Sequence, residues 1–175
     1  MRLFIGIDIP DAMKRAAHSA ALEILGDRAK VVDVSEMHIT THFIGEVEAK
    51  KSNDIMNLLS ELRFGPFDAS LAGLRFFPGI AYAAVDSGRE QMFQLHAEIG
   101  RRLDSGGIWY DRKRFVPHLT LARLKGEMGK VEMTSLESQY SSLSLGTFTV
   151  SSVSLKQSIP SSSGARHVEL YKAEL

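Results

Sequence analysis

The sequence predicts an α+β protein built from a duplicated unit, in which two lobes with antiparallel-rich sheets flank a central cleft and carry their helices on the outer faces. Three observations predict it. Strand-period and helix-period segments follow one another in the same order twice along the 175 residues. Matching landmarks in the two passes lie 78 to 81 residues apart: Asp8 and Asp86, Met13 and Met92, His38 and His118, Leu74 and Leu155. The triplet His-x-Thr occurs once in each pass, at the same offset. One domain spanning residues 1–175 is expected, with halves at roughly 1–78 and 79–175.

The elements follow in order. Leu3, Ile5, Ile7 and Ile9 alternate with Arg2, Phe4, Gly6 and Asp8, a strand period, and Pro10-Asp11 opens a helix. Met13, Ala16, Ala17, Ala20, Ala21 and Ile24 give that helix an apolar face. After Gly26 a second extended run covers residues 37–44, closed by Gly45, and a helix with Ile55, Leu58, Leu59 and Leu62 follows. Gly65-Pro66 ends it, and residues 67–77 form the third strand. The second pass has a strand at 80–86, a helix carrying Met92, Leu95, Ile99 and Leu103, and a strand at 115–124. A helix with Met133, Leu136 and Tyr140 comes next, then strands at 147–157 and 166–173.

Charge narrows the function classes. Lys plus Arg and Asp plus Glu each number 21, so no global field holds a long polyanion, and a nucleic acid would be gripped at an end. The absence of cysteine removes disulfides, zinc-thiolate sites and thiol nucleophiles. No window approaches the roughly 20 apolar residues of a membrane span. A cytoplasmic monomer without membrane association is the expectation.

The chemistry sits in the two triplets. Residues two apart on a strand share a face, so His38 stands beside Thr40 and His118 beside Thr120. Strict alternation also places His42 on the face of His38, with Ile39, Thr41 and Phe43 on the other, and sets Arg123 opposite His118. Imidazole has a pKa of about 6.5, so near neutral pH one histidine can take a proton while its partner gives one. Phosphodiester opening needs both, and threonine hydroxyls can hold the non-bridging oxygens. Such a pair calls for no metal and no cofactor. The four-residue spacing of His38 and His42 also matches a helical zinc pair, but no accompanying Glu or third ligand is present. His18 and His96 fall inside helices without a role, and Arg112, Lys113 and Arg114 form a basic loop that could meet phosphate or simply be solvated.

The segments HITTHFIGE and HLTLAR, with the opening RLFIGIDIP, resemble the RNA 2′,3′-cyclic phosphodiesterases, also called 2′-5′ RNA ligases, of the two-histidine phosphoesterase superfamily. The likeness runs through nearly the whole chain. It implies a bilobal α+β fold and hydrolysis of a terminal 2′,3′-cyclic phosphate to a 2′-phosphate, with an activity reversible in principle that also allows RNA ends to be joined through a 2′-5′ bond. It further implies His38 as proton donor, His118 as proton acceptor, Thr40 and Thr120 as phosphate-holding hydroxyls, and RNA ends or nucleotides bearing the cyclic phosphate as partners. Further candidates for substrate contact are His42, Phe43, Arg123, Ser158 and His167, the last standing where relatives commonly carry a tyrosine. Two alternatives remain open on the sequence: a phosphoesterase for another small ester, such as ADP-ribose 1″,2″-cyclic phosphate or a 2′-5′ oligonucleotide, and a module that binds RNA ends without turnover.

Overall fold

A computed structural model describes residues 1–175. The opening alternation forms β1, Arg2–Ile7, which buries Leu3, Ile5 and Ile7 almost completely on one face. Pro10 starts α1, Asp11–Leu25, its carbonyl accepting from the amides of Met13 and Lys14. Ala17 and Ala21 on the buried face of α1 let it lie close to its sheet. The first pass continues with β2, Ala29–Val31, β3, Ile39–Glu46, α2, Ala49–Ser60, and β4, Phe67–Phe77. The second supplies β5, Ile80–Val85, α3, Arg89–Ser105, β6, His118–Leu124, and α4, Lys130–Gln139. Three closing strands complete the chain: β7, Ser144–Val150, β8, Ser152–Ser161, and β9, Gly164–Glu174.

All pairings are antiparallel, in two sheets ordered β3-β1-β8-β9 and β2-β6-β5-β4-β7. Helices α2 and α3 lie on the first sheet, and α1 and α4 on the second. One apolar cluster runs through both. This is the α+β fold of two antiparallel sheets with helices outside that the sequence predicts.

The lobes are not the two sequence halves, as the duplicated pattern suggested. Strand β4 pairs with β5 in the second sheet, while β8 returns to pair with β1 in the first. The cause is the two-residue turn Pro78-Gly79 between Phe77 and Ile80, which pair directly. Gly79 takes φ +75° there, a conformation costly for other residues. So short a link permits only an antiparallel neighbour, which commits β4 to the sheet of β5.

Other expectations need adjustment. The predicted strand at 147–157 is broken at Ser151, with β7 on the second sheet and β8 on the first. Residues 115–117 stay outside β6, consistent with Pro117 having no amide to give a ladder. The short edge strand β2 was not anticipated. Lys30 on it reaches across to donate to the Ser163 carbonyl, 2.6 Å away in the turn between β8 and β9. No helix is long and apolar enough to cross a membrane.

Candidate active site

The two motif strands, β3 and β6, are where the sheets adjoin. On each, one face is sealed by helices: Ile39, Thr41 and His42 are buried on the α3 side of β3, and Leu119, Leu121 and Ala122 on the α1 side of β6. His38, Thr40, His118 and Thr120 occupy the other face and are half-buried. That helix-free face is the cleft.

A bulge in each strand decides where the residues after the motif point. Along β1 and β3, Ile5 pairs with His42 and Gly6 with Thr40, leaving Thr41 as the extra residue. Along β5 and β6, Ala81 pairs with Ala122 and Tyr82 with Thr120, leaving Leu121 extra. An inserted residue flips the remaining alternation. His42 is therefore turned away from His38 and into the core, which corrects its assignment to the cleft and rules out a His38-His42 metal pair. Phe43 and Arg123 are turned the other way, onto the motif face, where both are exposed. Arg123 reaches the face of His118 only because of the bulge.

Each histidine is held alike. His38 Nδ1 is 2.7 Å from the Glu36 carbonyl and His118 Nδ1 is 2.6 Å from the Val116 carbonyl. A carbonyl only accepts, so Nδ1 carries the hydrogen in both and Nε2 is left for chemistry. His38 Nε2 is 2.9 Å from Thr40 Oγ1, which donates to it while the ring is neutral. Aromatic rings wall both imidazoles: Phe4 and His167 lie 4.8 and 4.9 Å from His38, and Tyr82 and Phe77 lie 5.1 and 5.2 Å from His118. Under His38 sits Gly6, where a Cβ would come within 3.2 Å of the Ile39 carbonyl and 3.4 Å of His38 Cδ2.

Burial dominates the electrostatics. It depresses His38 to about 4, helped by the nearby His167 and Lys156 and opposed by the Glu36 carbonyl and Asp8. Burial likewise lowers His118, against the hydrogen bond to Val116. Near neutral pH the site thus holds two neutral imidazoles, each harder to protonate than a free one, and the charge of an entering anion favours the protonated form.

Among the other predicted contacts, His167 is brought to the site, edge-on to His38 and to Phe4. Its amide donates to Glu36 Oε2 at 2.8 Å, and its Nδ1 lies 2.9 Å from the same oxygen without the alignment of a hydrogen bond. Glu36 thereby orients His38 through its carbonyl and His167 through its carboxylate. Ser158 is directly opposite His167 across β8 and β9. The basic loop is partly structural: Arg112 pairs with Asp104 and donates to the Tyr110 hydroxyl. Sequence reasoning missed Phe4, Gly6, Tyr82, Phe77 and Glu36. Phe4 and Tyr82 share the 78-residue offset, the signal that could have found them.

Comparison with known proteins decides the family. The model of the 2′-5′ RNA ligase superfamily matches residues 10–158, most of the chain and both motifs. The chain belongs to the 2′-5′ RNA ligase superfamily. Curated proteins similar to this superfamily member include the RNA 2′,3′-cyclic phosphodiesterases of Aeropyrum pernix, 33% identical over 83% of this chain and 85% of that one, and of Archaeoglobus fulgidus, 32% identical over 97% and 98%. Solved structures agree in fold. TT0787 of Thermus thermophilus superposes with TM-score 0.81 at 24% identity over 100% of this chain and 98% of that one. Escherichia coli LigT in complex with 3′-AMP gives 0.82 at 19% over 99% and 97%.

Proposed function

We propose that this superfamily member opens a 2′,3′-cyclic phosphate at an RNA 3′ end to a 2′-phosphate, without a metal ion, by acid-base catalysis between His38 and His118. The observation that carries the reading is the matched pair of Nε2 atoms on adjoining strands, each fixed by an Nδ1 bond to the carbonyl two residues earlier. The names of the similar curated proteins support the substrate class. Water attacks phosphorus while His118 Nε2 takes its proton. The P–O3′ bond breaks on the opposite side and His38, protonated, gives its Nε2 proton to O3′. The two imidazoles exchange protonation states, and solvent resets them. A phosphodiester anion in the cleft raises the depressed pKa of His38 by its charge, so substrate binding supplies the acid form. Thr40 and Thr120 donate to the non-bridging oxygens, and Arg123 offers a second source of positive charge. With the 5′-hydroxyl of another RNA end in place of water, the same proton movements join the two ends through a 2′-5′ bond as P–O3′ breaks, and the reverse of that step cleaves the 2′-5′ bond to the cyclic phosphate.

Protein stripped with EDTA is expected to convert adenosine 2′,3′-cyclic phosphate to the 2′-phosphate at an undiminished rate, read by product-resolved chromatography. A 3′-phosphate product, or loss of activity that zinc restores, would overturn the assignment. Gly6→Ala is expected to lower kcat by about 10- to 100-fold, because the added methyl presses on His38 and the Ile39 carbonyl and moves Nε2 off line. Steady-state kinetics beside a thermal melt checks this. An unchanged kcat would mean that the ring position is not critical.

A further inference from the structure

Beyond His118 the cleft face of the second sheet carries a groove of about 410 Å³ that the reaction above does not use. Its floor includes Tyr82 and Ala84 and its rim includes Arg75, Asp86, Arg89 and Ser141. It opens from the catalytic pair, since the Tyr82 ring lies 5.1 Å from that of His118. Register gives the direction: Thr120 pairs with Tyr82, and Tyr82 with Arg75. Arg75 therefore stands two strand spacings, about 10 Å, from Thr120 on the same face.

The two sheets differ in the charge they bring to the cleft. On the first, Phe4 walls His38 and pairs directly with Lys156; on the second, Tyr82 walls His118 and pairs directly with Arg75. Lys156 is neutralised by Asp8. Asp86, 78 residues after Asp8, makes no ion pair with Arg75, and Arg89 adds a second guanidinium that rests on the Phe93 ring 5.3 Å away and donates to the Val85 carbonyl. Both arginines act on the Tyr82 hydroxyl, favouring its ionised form against the larger effect of burial and the opposing charge of Glu137. So one side of the cleft is aromatic with its cation spent, and the other presents two guanidiniums without carboxylate partners. Guanidinium matches phosphate oxygens in pairs, and a partly enclosed groove screens such contacts less than open surface does.

We infer that Arg75 and Arg89 form a second-phosphate subsite, which holds the phosphodiester preceding the cyclic end of an RNA strand and makes oligonucleotides better substrates than mononucleotides. This rests on the reaction proposed above for its kinetic readout and on the groove alone for its binding readout. A trinucleotide ending in a 2′,3′-cyclic phosphate is expected to show a kcat/KM about tenfold above that of the mononucleotide, in line with a charged hydrogen-bonded contact. Arg75→Gln with Arg89→Gln should remove that advantage and leave the mononucleotide rate in place. Asp86→Asn should increase it. Equal losses on both substrates, or an advantage that survives the double substitution, would overturn the subsite. Acceleration that depends on the arginines but is confined to ADP-ribose 1″,2″-cyclic phosphate, whose second phosphate is a pyrophosphate, would overturn the RNA assignment. Fluorescence anisotropy with a trinucleotide ending in a 2′-phosphate separates the two readings if no cyclic phosphate is opened. Affinity that falls in the double variant, with a salt slope shallower by about 0.7 for each phosphate no longer neutralised, supports the subsite even then, and affinity indifferent to the arginines overturns it.

Discussion

His118→Ala is expected to lower kcat by about a thousandfold on a nucleoside 2′,3′-cyclic phosphate, and His38→Ala by a similar factor. Neither should unfold the protein, because both rings are half-buried at the cleft and neither belongs to the apolar cluster. The double variant should be scarcely worse than either single one, since a proton giver is of little use without its taker. The roles can be separated. An aryl phosphodiester, whose leaving oxygen needs no proton, should restore much of the rate lost in His38→Ala and little of that lost in His118→Ala. Full activity of either alanine variant on the cyclic nucleotide would sink the pairing, and equal rescue of both would reverse or blur the roles. Thermal melts run beside the assays keep loss of chemistry apart from loss of fold.

The fold and the motif pairs were legible because their signals are local. Alternation at Leu3, Ile5 and Ile7, and the helical stripe of Met92, Leu95, Ile99 and Leu103, reflect burial on one face, and each residue pattern carries that information by itself. What alternation could not carry is the change of face after each motif. The bulges at Thr41 and Leu121 arise from the pairing of two strands, so they reverse His42, Phe43 and Arg123 without any mark in β3 or β6 read alone. The exchange of β4 and β8 between sheets was hidden in the same way. The expected strands at 67–77 and 80–86 leave only Pro78-Gly79 between them, but the return of β8 to the edge of β1 depends on which edges are free. Alternation groups Phe4 with Arg2, Gly6 and Asp8 on the outward face of β1. That face is the cleft, and an aromatic residue there is wall rather than misplaced core.

His42 supplies the second large effect. It is 2% exposed, neither ring nitrogen has a hydrogen-bond partner, and its ring stacks on His96 at 4.2 Å with Tyr110 edge-on. Burial, then the charges of His96 and Arg112, push its pKa down to about 3, with Asp104 opposing weakly. In the unfolded chain the same imidazole takes a proton near pH 6.5. The folded state therefore binds fewer protons than the unfolded one between those values. The stability tied to neutral His42 is complete above pH 6.5 and declines as pH falls toward 3. At pH 5 the loss from this residue is about 2 kcal/mol, and it stays so if the folded value lies a unit higher, because pH 5 is still above it. His42→Leu keeps the site apolar and cannot be protonated. Urea unfolding at pH 7.5 and pH 5 is expected to show the wild-type protein losing about 2 kcal/mol more than the variant across that interval. Both should still lose some stability, since burial also lowers the pKa of His38, His96, His118 and His167. Parallel losses in the two proteins would mean that His42 accepts its proton without leaving the core, and that the stacked pair with His96 is not the acid-sensitive element of the fold.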